Sequence, residues 1–212
     1  MSIKRLACSA IMATFLAGLA ETASAGQDGW AHNQYERGYG LFSLGAAFNY
    51  GIWTGSDQFK NLDGDVNPFG PALGITAGVT LKPGIYVGAD FNYFWGGSRT
   101  VSGLNAGASM HANIYDVLGE VGYDLWVGRS GVLRPKVGLG IGIARGTFCG
   151  STGFTTACAT DSRSGFTIAP GAEYVQFFGP GYLSLEAKWQ DVMLSGPDAS
   201  AVVLGVGIGA VL

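Results

Sequence analysis

Charge is scarce in this sequence. Asp, Glu, Lys and Arg make up 13% of its 212 residues, against 48% hydrophobic residues and 36 glycines. A soluble globular domain carries about 25% charged residues, so something apolar must surround the folded chain. Basic surplus is missing as well: the formal net charge is −3, which argues against a nucleic-acid surface. Histidine occurs twice and cysteine three times, with no C-x-x-C pair, so redox-motif chemistry is excluded.

A spanning helix is absent too. It requires roughly 20 apolar residues, and the apolar tail Val202–Leu212 (VVLGVGIGAVL) is about half that length, with glycine at 205, 207 and 209. Glycine weakens a helix interior by up to about 1 kcal/mol per residue. A period of two belongs to a strand, one face carrying Val202, Leu204, Val206, Ile208, Ala210 and Leu212, the other the small residues.

What is there begins with an export signal. Lys4 and Arg5 precede an apolar stretch from Leu6 to Ala20 and the small-residue motif Ala23-Ser24-Ala25, the order expected of a cleaved secretory peptide. Residues 1–25 are read as that signal, 26–38 as a periplasmic segment and 39–212 as one domain. Cleavage removes two positive charges and one negative (Lys4, Arg5, Glu21), moving the formal charge from −3 to −4. Cys8 leaves with the signal. Cys149 and Cys158 remain, in a Gly/Ser/Thr-rich stretch. An oxidising compartment favours a bridge between them, and closing a loop of about ten residues is worth about 2 to 3 kcal/mol.

Eight alternating segments follow, each with its bulky apolar residues on one parity. In the first, Phe42, Leu44, Phe48, Tyr50 and Ile52 oppose Ser43, Gly45, Ala47, Asn49 and Gly51. The third sets Ile85, Val87, Phe91, Tyr93 and Trp95 against Tyr86, Gly88, Asp90, Asn92 and Phe94. The fourth places Asp116, Glu120 and Asp124 on its small-residue side, and the fifth places Arg134 and Lys136 there. Glu173 in the sixth and Glu186 and Lys188 in the seventh have the same parity, and the tail is the eighth. Short turns near 83, 129 and 180 alternate with longer connections at roughly 53–70, 96–110, 147–164 and 193–200, all four long ones at one end.

Eight strands with strict alternation, short turns at one rim and long loops at the other fit an all-β, eight-stranded, antiparallel up-and-down transmembrane β-barrel. The last strand closes against the first, leaving no unsatisfied backbone edge in the bilayer. A soluble eight-stranded barrel places polar groups outside, and this chain has too few charges for that. Tyr50, Trp53, Trp95, Trp126 and Trp189 stand at strand ends, as an interfacial aromatic girdle requires.

Over essentially the whole mature sequence the chain resembles the small outer-membrane barrels of the OmpA and OmpX type, in architecture rather than by a diagnostic motif. The resemblance implies a bacterial outer-membrane location, lipid and lipopolysaccharide as surroundings, and insertion by the outer-membrane assembly machinery. That machinery favours a terminal aromatic residue in the family. Leu212 stands there instead, although Leu204, Val206, Ile208 and Ala210 keep the alternation. No peptidoglycan-binding domain is expected after the eighth strand.

The inward charges are the strongest candidate constellation: Asp90, Asp116, Glu120, Asp124, Glu173 and Glu186 with Arg134, Lys136 and Lys188. The fourth and fifth strands are neighbours, so their acidic and basic stripes are expected to meet across the ladder. An eight-stranded barrel is just wide enough for side chains to fill, which favours an ion-pair core over a conduit. Inward glycines such as Gly74, Gly78, Gly138 and Gly209 either leave a narrow pore or receive the aromatics Tyr86 and Phe94. A lipid A-modifying enzyme would require a histidine base oriented by an acid. Ser109 shares parity with His111, but Asp116 and Glu120 fall on the other face, and His32 lies near the start. Asp63 and Asp65 flank a glycine without the remaining EF-hand ligands, which reads as a turn. The expected protein is a non-enzymatic, monomeric envelope or surface-interaction barrel, without cofactor or metal, meeting a ligand at its extracellular loops. A passive pore is the alternative.

Overall fold

The computed structural model describes residues 42–54, 67–102, 106–128, 130–152, 155–194 and 198–212. The export signal, the segment 26–38, His32, Asp63 and Asp65 lie outside the described residues.

Among the described residues the chain forms ten strands: β1 (Phe42–Trp53), β2 (Pro71–Leu81), β3 (Ile85–Phe94), β4 (Ser98–Ser102), β5 (Ala106–Tyr123), β6 (Leu125–Val127), β7 (Gly131–Thr152), β8 (Thr155–Phe178), β9 (Gly181–Leu194) and β10 (Ala199–Val211). Eight of them close a ring in the order β1, β2, β3, β5, β7, β8, β9, β10, every joint antiparallel, with β10 returning onto β1. The short β4 and β6 pair with β5 and β7 respectively.

The ring is staggered. In-register partners lead from Phe42 through Val79, Val87, Val121, Val137 and Pro170 to Trp189, which flanking pairs place opposite Pro170, then through Val202 to Ile52. The path returns to β1 ten residues farther on, a shear that goes with a strand tilt of about 40°. Left-handed glycines at the short-turn rim, Gly128 (φ 71°) and Gly179 (φ 63°), let the chain reverse where a side chain would be strained.

The alternation places large apolar side chains outside. Ile141, Ile208 and Val121 are 60%, 59% and 59% exposed, and similar residues continue on neighbouring strands. An apolar surface of that extent belongs against lipid. The inner parity is polar: Asn49, Asp90, Asn92, Asp116, Glu120, Lys136, Lys188 and Gln190 are all buried.

Three expectations are corrected. The stretch 147–164 is no loop, since β7 and β8 continue through it in unbroken register from Gly131↔Gln176 to Thr152↔Thr155. Cross-strand hydrogen bonds there satisfy backbone that a Gly/Ser/Thr composition suggested would be irregular. Likewise, β4 and the start of β5 occupy most of 96–110. Trp53 and Trp126 do not join the outer girdle. Trp53 packs on the apolar cluster inside the long-loop end, and Trp126 stacks on Phe177 inside the other end, with ring centroids 6.4 Å apart. Tyr50 and Trp95 do face outward, 50% and 41% exposed.

Candidate functional site

The interior is layered along the barrel axis. At the long-connection end Phe69, Phe94, Ile114, Val192 and Val203 form a dry plug. Phe69 comes from the segment before β2. Its N–H donates to Asn67 Oδ1 (3.0 Å), and the neighbouring Gly70 carbonyl accepts from Gly51 N–H (2.8 Å). The ring of Phe69 meets Phe94 edge-on at 5.2 Å.

Beneath the plug lies an amide layer. Asn49 Nδ2 donates to Asn92 Oδ1 (2.7 Å), and Asn92 Nδ2 donates to Asp90 Oδ2 (2.7 Å) and Asp116 Oδ1 (3.1 Å). Gln190 Nε2 donates to Asp116 Oδ2 at 2.8 Å. Asp116 is therefore held by amides, not by a cation.

The ion layer follows. Lys188 Nζ reaches Asp90 Oδ2 at 2.7 Å and Glu186 Oε1 at 3.3 Å. Lys136 Nζ sits 3.0 Å from Glu120 Oε2, 3.0 Å from Glu186 Oε1 and 3.7 Å from Glu173 Oε2. Lower still, Arg134 grips Asp124 with Nε (2.6 Å) and Nη2 (3.2 Å), and reaches Glu173 with Nη1 (3.2 Å). Its guanidinium lies 3.8 Å over the Tyr86 ring, and Thr80 Oγ1 donates to Asp124 Oδ2 at 2.9 Å. Val132, Val175 and Tyr182 close the short-turn end, with Trp126 and Phe177 against them.

The nine charged residues singled out from the sequence thus lie inside one lumen, eight of them in ion pairs. The acidic and basic stripes of β5 and β7 meet in two ion pairs, Lys136 with Glu120 and Arg134 with Asp124, the latter just past the end of β5. On β7, glycines lie opposite the β5 acids, Gly142 facing Asp116 and Gly138 facing Glu120, while Lys136 faces Gly122. Lys136 reaches Glu120 on the diagonal and Glu186 across the lumen, while Leu118 and Ala169 fill the space beside Gly138, and Thr167 and Val192 that beside Gly142. Sequence reasoning missed the amides Asn49, Asn92 and Gln190, whose inward parity was the available signal. It also missed Tyr182, whose ring would collide with a Cβ on Gly209. Tyr86 does take up the space over Gly78 and Gly88, whereas Phe94 joins the plug. Beside Gly45, Asn49, Ser184, Glu186 and Gly207 lies a cavity about the size of one water molecule.

Above the rim the alternation changes sign without a slip in register. On β7 the outward residues Val137, Leu139, Ile141 and Ile143 give way to Arg145, Thr147, Cys149 and Ser151; on β5, Val121, Val117 and Tyr115 give way to Asn113, His111 and Ser109. The opposite face turns apolar or small, with Met110 paired to Phe148 and Phe148 to Ala159. Met110 and Phe148 are 41% and 54% exposed. The sheet β4–β5–β7–β8 therefore projects beyond the bilayer with a polar back and a front that is apolar or small on β5 and β7 and carries the exposed Asp161–Arg163 ion pair on β8. Its last hairpin is bridged by Cys149–Cys158, which are direct cross-strand partners. His111 and Ser109 stand on the polar back, on the parity opposite to the lumen carboxylates. Among the described residues no group of three His, Cys, Asp or Glu side chains is placed to hold a metal ion.

A closed eight-stranded ring with a lipid-facing apolar exterior and a filled polar lumen defines a transmembrane β-barrel of the small outer-membrane type. No protein-family model and no curated protein matches the chain. Solved structures do. The crystal structure of Neisserial surface protein A is 12% identical, covers 81% of this chain and 97% of its own, and superposes with a TM-score of 0.50. The attachment invasion locus protein Ail of Yersinia pestis is 15% identical, with 80% and 96% covered and a TM-score of 0.48. The N-terminal β-barrel domain of Pseudomonas aeruginosa OprF is 16% identical, with 81% and 98% covered and a TM-score of 0.39. The likeness to Neisserial surface protein A is one of fold.

Proposed function

We propose that this chain is a non-enzymatic surface protein of a bacterial outer membrane, and that its projecting sheet contacts partners outside the cell. Residues 1–25 act as the export signal and 26–38 as a periplasmic segment. The assembly machinery inserts the barrel, which stands as a monomer among lipid and lipopolysaccharide. The observation that carries this reading is the β7–β8 hairpin: β8 runs ten residues, Thr155–Ser164, beyond its last pairing with β9 at Gly165↔Leu194. At about 3.4 Å per residue that is roughly 30 Å of strand with no part in closing the barrel. The lumen charges serve as a structural ion-pair core, and with apolar plugs at both ends they disfavour the pore reading.

The test replaces residues 147–160 with Asn-Gly, a two-residue hairpin turn joining the paired Gly146 and Asp161. Cells displaying the intact protein should attach to protein- or polysaccharide-coated surfaces. The trimmed protein should lose that attachment at least tenfold while keeping its heat-modifiable gel shift. Equal attachment by both would overturn the reading. In planar bilayers the refolded protein should be silent, and reproducible unitary steps would restore the pore.

A further inference from the structure

The lumen is not electrically balanced. Among the described residues six carboxylates, Asp90, Asp116, Glu120, Asp124, Glu173 and Glu186, share it with three cations, Arg134, Lys136 and Lys188. Ionised throughout, they leave three negative charges in excess inside a narrow ring, and a charge held away from water is costly unless a counter-charge accompanies it. The crowding is sharpest where β8 meets β9. Glu173 and Glu186 are direct cross-strand partners on the inward face, and like charges directly opposite each other destabilise a sheet. Lys136 serves the pair from one side, 3.7 Å from Glu173 Oε2 and 3.0 Å from Glu186 Oε1. Arg134 reaches that same oxygen of Glu173 at 3.2 Å, and Lys188 that same oxygen of Glu186 at 3.3 Å. The closest cation contacts of both carboxylates thus fall on one oxygen each.

Both carboxylates also line the water-sized cavity, together with Asn49, Ser184, Tyr182 and Thr76. The orientation of Asn49 is fixed by its neighbours. Asn92 Nδ2 is committed to the carboxylates of Asp90 and Asp116, so Asn92 Oδ1 must accept, and the group that meets it is Asn49 Nδ2. Asn49 Oδ1 therefore turns the other way, over Gly205, where it finds no donor among the described residues although Asn49 is only 1% exposed. Ser184 Oγ lies over Gly207 in the same manner, and the hydroxyls of Tyr182 and Thr76 stand over Gly45. Glycines on β1 and β10 make the room, and every polar side chain turned toward it presents oxygen.

We propose that this cavity binds one monovalent metal cation, held by Asn49 Oδ1, the carboxylates of Glu173 and Glu186 and the Ser184 hydroxyl. An all-oxygen set suits a hard cation. A water molecule would satisfy the hydrogen bonds and leave the excess charge in place. Magnesium keeps several waters of its own and calcium takes about six to eight oxygens, whereas the space admits one occupant of water size beside a lysine that already offsets part of the carboxylate charge. The ion lies on the inner wall of the closing joint, where Asn49 pairs with Gly205 and Ala47 with Gly207. It ties β1 to β8 and β9 across the glycines of β10. The inference rests on the reading of the lumen as a structural core, and it supplies part of the positive charge that core lacks among the described residues.

The experiment uses the full-length mature protein refolded into phosphatidylcholine vesicles, with choline replacing sodium at constant ionic strength and urea unfolding read by gel shift. Raising sodium from about 1 to about 100 mM should lower the unfolding equilibrium constant about tenfold, the response of one site half-filled midway through that range. Gly207→Ala places a methyl group against Ser184 Oγ, inside the cavity, and the folded variant should lose the response. If that variant does not fold, Ser184→Ala, which removes one ligand, should move the response to higher sodium. In crystals grown with thallium(I) in place of sodium, anomalous scattering should place the ion against Asn49 Oδ1. A midpoint indifferent to sodium, an undiminished response in folded Gly207→Ala, or a cavity without thallium would each overturn the proposal. So would a response to micromolar calcium, which would make the site a divalent one. Planar-bilayer conductance separates this idea from the one beneath it. Unitary steps would end the structural-core reading and the cation site with it, whereas a silent barrel indifferent to sodium would end the cation site alone.

Discussion

The same three strands, β5, β7 and β8, pass through two environments, and they solve a different problem in each. Below the rim they belong to a closed ring, with apolar residues outward and a charged lumen within. Above it they form an open sheet with Thr147, Thr160 and His111 outward and Met110 and Phe148 inward. No bulge marks the change, and the period of two runs straight through. What changes is the solvent on each face: lipid outside and packed polar side chains inside below the rim, water outside above it. Alternation alone therefore locates strands, whereas the point at which the alternation reverses locates the membrane surface, between Ile143 and Arg145 on β7.

Mutations can break that comparison at graded strength. The largest effect is expected inside the ring. Lys188→Met leaves Asp90 and Glu186 facing each other without their shared cation, and loss of one partner from a buried pair costs about 3–5 kcal/mol. Urea unfolding of the vesicle-embedded protein, read by gel shift, should show the midpoint fall sharply, and an unchanged midpoint would refute the described network. Next come two lysines on one parity of one strand. Leu139→Lys, midway between Leu133 and Arg145 on the outward face, meets mid-bilayer lipid and should destabilise by about 2–4 kcal/mol, while Thr147→Lys, on the same parity and above the rim, should stay within about 0.5 kcal/mol. Equal penalties in the same unfolding assay would mean that the surface boundary is misplaced.

Asp116→Asn should matter less than any change at Lys188. The Asp116 carboxylate accepts from two amides and forms no ion pair, and a hydrogen bond to a charged group contributes about 1.5–3 kcal/mol net, of which asparagine keeps one acceptor. An effect as large as that of Lys188→Met would show that Asp116 belongs to the ion layer. The smallest global effect is expected from Cys149→Ser with Cys158→Ser. The bridge lies wholly in the projecting hairpin, so the unfolding midpoint should hold while amide exchange in 147–160 quickens. A drop in the midpoint would mean that the hairpin and the ring unfold together.

The fold was legible in the sequence because lipid enforces alternation on every spanning strand: Leu204, Val206 and Ile208 outward with Gly205 and Gly207 inward suffice to fix the orientation of β10. The lumen charges were legible by parity for the same reason. Their partners were legible only between neighbouring strands, as for Lys136 with Glu120. Pairing across a narrow barrel is decided by which side chains reach over the lumen, and Lys136 finds Glu186 there, far from it in sequence. The projecting strands were hidden for another reason. Outside the bilayer no hydrophobic requirement applies, so the Ser, Thr, Ala and Gly of 147–164 carry a loop-like composition while their backbone keeps pairing. Trp53 and Trp126 misled because a tryptophan at a strand end suits a headgroup girdle and an end plug equally well.

The joint between β1 and β10 also has a kinetic meaning. Phe42 and Leu212 exchange backbone hydrogen bonds at 3.2 and 2.7 Å, a hairpin-like contact with almost the entire domain as its loop. Bringing ends about 170 residues apart together costs about 3.6 kcal/mol more in chain entropy than closing a three-residue turn. The other ladders of the ring join strands that are consecutive in the chain or separated only by the short β4 or β6, and can form locally, whereas this one forms only after those neighbours have assembled. The ring is expected to shut there last and, under load or denaturant, to part there first.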